Sequence, residues 1–333
     1  MQQIRWGVLG CARIADTKVL PAMRACANGR LHAIASRDPG RARDFARRHG
    51  AARWHQGYEA LLADPEVDAV YLPLPTGEHA AWAMRCIAAG KPVLVEKPFA
   101  GTVADASAVL AAARSAGVPA GEAWMYRFNP MARRVRELVR EGAIGRPRVV
   151  SAWFATNPPA DDFRWKPGPG GGVMADIGGY CTGIMRFVLG TEPEVVGAVA
   201  EFQDGVDAAV AGSLRFPGGV VGSFTCTMRA SFCIGYEIQG ECGRLRVDEG
   251  GMVAWPGRSF DIERWDGDLR PSRETIPDSD HYRLMLEDFA RGLLGGPPFQ
   301  VGPEETLANL RLNEAVLAAA RVHAAPHAAS SRA

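Results

Sequence analysis

Ile4-Arg5-Trp6-Gly7-Val8-Leu9-Gly10-Cys11-Ala12-Arg13-Ile14-Ala15 carries an apolar segment of strand length directly into a turn of small residues. Gly10, Ala12 and Ala15 occupy the spacing at which a dinucleotide-binding turn places three glycines. Gly10 supplies the tight turn, and the small Ala12 lets the main chain approach a pyrophosphate. The phosphate charge is met by free amides at the start of the following helix, and Ala15 lets that helix pack closely on the strand. Gly10, Ala12, Arg13 and Ile14 are therefore assigned to a cofactor. An ordinary strand–helix corner could carry the same residues, so the surrounding pattern has to decide.

Outward from this turn, apolar runs of strand length (4–9, 31–36, 69–74 and 92–95) alternate with helix-like segments at 39–49, 79–89 and 103–116. Such alternation predicts a parallel sheet with crossover helices, which moves the reading of the turn towards nucleotide. The pattern changes near Glu122. A helix over 130–141 precedes β-like segments at 149–156, 195–202, 208–215 and 220–228, which predict a mostly antiparallel sheet. Between the first two lies the glycine-rich loop 167–172, leading into a helix over 173–189. Two final helices, at 282–294 and 303–322, end in a small-residue tail expected to fray. The expected fold is α/β: a Rossmann domain over 1–121, then an α/β domain over 122–333 with a mostly antiparallel open sheet, for substrate binding and oligomerisation.

The chain has 333 residues and a formal charge of +1, which sets up no basic field for nucleic acid or anionic lipid. Seven scattered cysteines fit a reducing compartment. With no basic leader ahead of the first strand and no membrane-length apolar run, the expected location is the cytoplasm. His49, His55, His281, His323 and His327 lack partners at metal-ligand spacing, so no metal is expected.

At the end of the second expected strand stand Ser36, Arg37 and Asp38. A hydroxyl and a cation there suit a ribose 2′-phosphate and favour NADP over NAD. Asp38, before Pro39, either opposes that phosphate or caps the next helix. Glu96-Lys97-Pro98 follows the apolar run 92–95 and places a cation at a strand end, suited to holding a substrate oxygen near the dinucleotide. Asp176 and Tyr180 are four residues apart and share a helix face. A nearby ammonium favours the phenolate, so Tyr180 suits proton exchange, with Lys97 stabilising charge on oxygen and Asp176 orienting the substrate. Arg164 and Trp165, ahead of the glycine-rich loop, suit contact with a sugar, and a loop anchor is an equal reading of Trp165. Arg127 and Asn129 read equally as packing residues or as lining of a domain interface.

Four stretches together resemble the glucose-fructose oxidoreductase/inositol dehydrogenase/MocA family: 10–15, 71–75 with His79, 89–98 and 125–130. The resemblance covers nearly the whole chain. It implies hydride transfer at a sugar or polyol carbon, with Lys97 beside the reacting oxygen and Glu96 and His79 near the nicotinamide and its ribose. Leu72, Pro73 and Pro75 fall in the loop under the cofactor. It also implies a homo-oligomer, with the open sheet as the subunit interface. Tyr180 stands where inositol dehydrogenases have His, so the chain is more similar to the sugar dehydrogenase and sugar 3-ketoreductase branches. Substrates compatible with this range from free aldoses to nucleotide-linked keto-sugars and aminoglycosides. The contrasting expectation is a nucleotide- or sugar-sensing protein without catalysis.

Overall fold

The computed structural model describes residues 3–253, 255 and 257–323. The expected fraying of the tail falls outside the described residues. The chain forms two compact units. One comprises the chain up to Asn129 with Asp280–Leu307, and the other comprises Pro130–Ser279 with the chain from Ala308.

The first unit contains β1 (Ile4–Leu9), α1 (Leu20–Arg24), β2 (Gly29–Ser36), α2 (Pro39–His49), β3 (Arg53–Gln56), α3 (Tyr58–Leu62), β4 (Ala69–Leu72), α4 (Thr76–Ala88), β5 (Val93–Val95), α5 (Val103–Ala116) and β6 (Ala120–Glu122). Its sheet has the order β3-β2-β1-β4-β5-β6 with every pair parallel. Every residue of β4 and β5 is buried, which explains their unbroken apolar runs. The helices stop and start where local chemistry dictates. Asp38 caps α2 by accepting from the Arg41 amide at 2.9 Å, Thr102 caps α5 through the Asp105 amide at 3.1 Å, and Gly50 and Gly117 end the two helices in the left-handed region. β3, Arg-Trp-His-Gln, was not anticipated because it is a mostly exposed edge strand without an apolar run.

The second unit contains α6 (Pro130–Arg140), β7 (Pro147–Ala155), α7 (Gly179–Leu189), β8 (Glu194–Gln203), β9 (Val206–Phe216), β10 (Val220–Thr227), β11 (Cys233–Gly240), β12 (Gly243–Val247), β13 (Phe260–Asp266) and β14 (Pro271–Ile276). The sheet order is β14-β13-β12-β11-β7-β10-β9-β8, in which β7 and β10 pair in parallel and the other neighbours are antiparallel. Along β10 buried and exposed residues alternate: Phe224 and Cys226 are buried, whereas Val221 on the other face is 56% exposed. One face of the sheet carries α7, and the other presents Val199 and Val221 outward. The helix expected over 173–189 is divided, a π turn over Met174–Gly178 preceding α7.

The chain closes with α8 (His281–Leu293) and α9 (Pro303–His323). Beside the expected 1–121 and 122–333 division, the first unit also takes in Asp280–Leu307. α8 belongs to the first unit: Phe289 lies 5.6 Å from the Trp6 ring, and Asn28 donates to the Glu287 carbonyl at 2.9 Å. Trp124–Asn129 stays with the first unit too, Phe128 stacking on Phe299 at 5.5 Å. Large aromatic rings matched across distant segments set this boundary, and no linker composition marks it.

Candidate active site

In the first unit the sequence-assigned residues gather at the carboxyl ends of the strands, beside the point where the strand order reverses around β1, where open α/β sheets take ligands. Gly10, at the tip of β1, has φ 97° and donates to the Ala35 carbonyl at 2.8 Å; a Cβ there would stand 2.8 Å from Leu74 Cδ2. The next turn is π-helical over Ala15–Val19, with Ala15 buried and Arg13 exposed. This bare main-chain cradle ahead of a helix fits a pyrophosphate. At the tip of β2, Ser36 is buried and Arg37 is 75% exposed, its guanidinium 3.8 Å from Glu78. Asp38 caps α2, one of the two roles expected of it. Arg41, not assigned from sequence, reaches from α2 to the Cys11 carbonyl at 3.4 Å. Cys11, Arg13, Arg41 and Arg48 help line a cavity of about 500 Å³ there.

Lys97 follows β5, and the main chain around it is pinned at three points. Tyr71 donates its hydroxyl to Glu96 at 2.6 Å, His79 Nδ1 lies 2.8 Å from the Pro98 carbonyl, and the Phe99 amide donates to Glu122 Oε1 at 2.9 Å. The Lys97–Pro98 bond is cis. Burial raises the Glu96 pKa, against the hydroxyl of Tyr71 and the charge of Lys97. Glu122 ends β6 fully buried, and burial pushes its pKa up to about 8, against its hydrogen bond from Phe99. At neutral pH it is therefore mostly a carboxylic acid. His79 was assigned near the nicotinamide. It is buried, with Nε2 2.7 Å from the Leu74 carbonyl, so it fastens the loop after β4 to the turn after Lys97 from below. Burial holds its pKa down, although both carbonyls favour the imidazolium. Leu72 and Pro73 are buried in that loop and Pro75 is exposed.

In the second unit, Asp176 sits on the π turn and Tyr180 at the second position of α7. Arg164 grips Asp176 with two nitrogens, Nε to Oδ2 at 2.6 Å and Nη2 to Oδ1 at 3.3 Å, and also bonds Asp162 at 3.0 Å. Burial opposes the Arg164 charge, and the attraction of Asp176 and Asp162 more than offsets it, so its pKa is raised. Arg164 and Asp176, both assigned to the substrate, are thus one bidentate pair. Asp207, also missed, is buried and accepts from the Met174 amide at 2.8 Å, anchoring the start of the π turn. The Tyr180 ring meets Phe154 edge-on at 5.7 Å. Trp165 donates weakly to the Pro158 carbonyl at 3.4 Å, as a loop anchor does. Arg127 pairs with Glu305 at 3.4 Å, and Asn129 is buried.

Glu122 and Asp207 were missed because a buried carboxyl is recognised by its surroundings. The one local signal at Glu122 is an acidic residue inside the small and apolar run 120–125. Among the described residues, His32, Asp64 and Glu66 bring possible metal donors within 4.8 Å of one another, at a site where Arg53 already pairs with both carboxylates. The seven cysteines are all free thiols, and no described helix is long and apolar enough to cross a membrane.

Residues 4–123 match the oxidoreductase family with an NAD-binding Rossmann fold, and residues 132–246 match the GFO/IDH/MocA C-terminal domain. The chain is 36% identical over 325 residues to a dTDP-3,4-didehydro-2,6-dideoxy-alpha-D-glucose 3-reductase of Actinomadura kijaniata, covering 96% of each chain. It is 35% identical to D-xylose 1-dehydrogenase (NADP(+)) 2 of Haloferax volcanii, covering 96% of this chain and 98% of that one. Among solved structures it is similar to a 3-ketoreductase from Actinomadura kijaniata in complex with NADP and TDP-benzene. The TM-score is 0.90 at 33% identity, over 96% of this chain and 98% of that one. The two family matches, over residues 4–123 and 132–246, together with these relatives over nearly the whole chain, make this chain an NAD(P)-dependent oxidoreductase of the GFO/IDH/MocA family.

Proposed function

We propose that the protein uses NADPH to reduce a ring ketone on a nucleotide-linked hexose. The observation that carries this reading is the end-to-end similarity to a nucleotide-sugar 3-reductase, together with Lys97, Asp176 and Tyr180 being present in this chain. Bound NADPH supplies the hydride. On the protein side, the Lys97 ammonium stabilises negative charge growing on the carbonyl oxygen, and Tyr180 delivers the proton that makes it a hydroxyl. Asp176, oriented by Arg164, positions the sugar hydroxyls. Ser36, Arg37 and Arg41 supply a hydroxyl and two cations for the 2′-phosphate, with Asp38 turned to capping. Hydrogen bonds from Tyr71 to Glu96, between His79 and the Pro98 carbonyl, and from the Phe99 amide to Glu122 hold the turn around Lys97.

Similarity to the xylose dehydrogenase supports a second reading, oxidation of a free aldose with NADP. A cofactor-binding sensor is disfavoured by the intact reactive set. The open face of the eight-stranded sheet, with Val199 62% exposed, supports a homo-oligomer built across it.

The test is nicotinamide absorbance with NADPH and NADH across nucleotide-linked keto-sugars, and with NADP and NAD across free aldoses, using Tyr180→Phe as control. Turnover of the keto-sugars, lowered about 10²- to 10⁴-fold in the control, supports the proposal. Turnover confined to free aldoses selects the second reading, and nucleotide binding without turnover in either direction selects the sensor.

A further inference from the structure

At one end of the eight-stranded sheet a row of aromatic rings leads away from Tyr180. The register sets Ala155 at the end of β7 against Cys233 at the start of β11, and Tyr236 against Val247 at the end of β12. The segments after β7, before β11 and after β12 therefore leave the sheet at the same end. Phe154 is buried there and meets two rings edge-on, Tyr180 at 5.7 Å and Phe232 at 6.0 Å. Phe232 meets Trp255 at 5.6 Å, and Trp255 meets Phe260 at 5.8 Å. Phe232 is 49% exposed. Arg258 completes the group. Its guanidinium lies 5.6 Å over Trp255 and 5.1 Å over Phe260, and Glu249 holds it there at 3.2 Å.

An exposed ring, Phe232, beside the half-buried Trp255 that carries a guanidinium suits a ligand that is planar and aromatic at one point and anionic close by. A free monosaccharide has neither property, and a nucleoside diphosphate has both. Phe232 also stands one buried side chain, Phe154, away from the proposed proton donor.

We propose that Phe232 and Trp255 form a stacking site for the base of a nucleotide-linked substrate, with Arg258 facing its diphosphate. This rests on the nucleotide-sugar reading above and adds the residues that select such a substrate over an unlinked sugar.

The test compares kcat/KM for a dTDP-linked keto-sugar with that for the same keto-sugar as a methyl glycoside, in the full-length protein with NADPH. The wild type is set beside Phe232→Ala, Trp255→Ala and Arg258→Ala, and calorimetry follows the binding of dTDP alone. The expected result is a fall in the ratio of the two kcat/KM values by roughly ten- to a hundred-fold in either ring variant, carried by KM, with dTDP binding weakened in parallel. Phe232→Tyr and Trp255→Phe keep a flat ring and restore the ratio. If the wild type binds dTDP and prefers the linked substrate while the alanine variants do so equally well, the stacking site is wrong and the substrate reading stands. If the wild type neither binds dTDP nor distinguishes the two substrates, the substrate reading fails and this site falls with it. If the variants lower both activities alike or change the oligomer seen by light scattering, the rings serve packing or subunit contact, and the inference is overturned.

Discussion

The backbone around Lys97 takes its position from residues far away in sequence, and Glu122 is the most informative of them. Its Oε1 accepts from the Phe99 amide. Glu122→Leu leaves that donor unmet, which should cost about 1–3 kcal/mol and lower kcat as the lysine turn loosens. Glu122→Gln keeps an acceptor and should retain most turnover, and parallel kinetics and urea melts of the two variants check this. The same residue sets a pH dependence. Its pKa is raised from 4.5 to about 8 in the folded protein. Between those values the folded state holds a proton that the unfolded chain has released, so stability falls as pH rises through that window and levels above it. Urea midpoints at about pH 6 and about pH 8 should differ less in Glu122→Gln than in the wild type. For Lys97 itself, Lys97→Ala should reduce kcat by far more than it weakens NADPH binding, read by single-turnover kinetics against cofactor fluorescence titration. An equal loss in both would move Lys97 from charge stabilisation to cofactor binding.

At the scale of elements, α2 joins a stability role to a selectivity role. Asp38 caps it through the Arg41 amide, and Arg37 and Arg41 place cations at the β2 tip. Asp38→Ala should cost about 1 kcal/mol in a chemical melt. NADP binding should hold or improve in that variant, because an anion leaves the neighbourhood of the 2′-phosphate. Arg37→Ala combined with Arg41→Ala should instead lower the preference for NADP over NAD, measured as the ratio of their dissociation constants. α2 and α5 were legible in the sequence because cap, proline or glycine, and apolar spacing agree within one short window. β13 and β14 were not, since their charged residues alternate on a partly exposed sheet edge and supply no apolar run. The π turn at Met174–Gly178 escaped for a different reason. Its start is tied to Asp207, on a strand that follows more than thirty residues later.

At the scale of the molecule, two compact units share a chain that returns to the first after building the second. Phe289 on α8 packs against Trp6 on β1 and against Phe299, so Phe289→Ala should cost about 3–5 kcal/mol, read by denaturant unfolding. If the open face of the large sheet joins subunits, Val199→Lys with Val221→Lys should shift the protein towards monomer in light scattering and leave the first unit's unfolding unchanged. A monomeric wild type at assay concentration would remove the oligomer proposal.

Sequence by itself determined the alternating α/β pattern, the small-residue turn at Gly10, the change to a mostly antiparallel sheet, and the family, because each is written in short-range periodicity or in a contiguous motif. Tertiary structure alone decided that α8 belongs to the first unit, that Asp176 is gripped by Arg164, and that His79 and Glu122 hold the Lys97 turn from below. It also decided that Phe232 meets the same buried Phe154 ring as Tyr180, with Trp255 beside it. The physical reason is that burial, carboxyl pKa shifts and ring contacts depend on what surrounds a side chain in space, and residues tens to hundreds of positions away supply those surroundings.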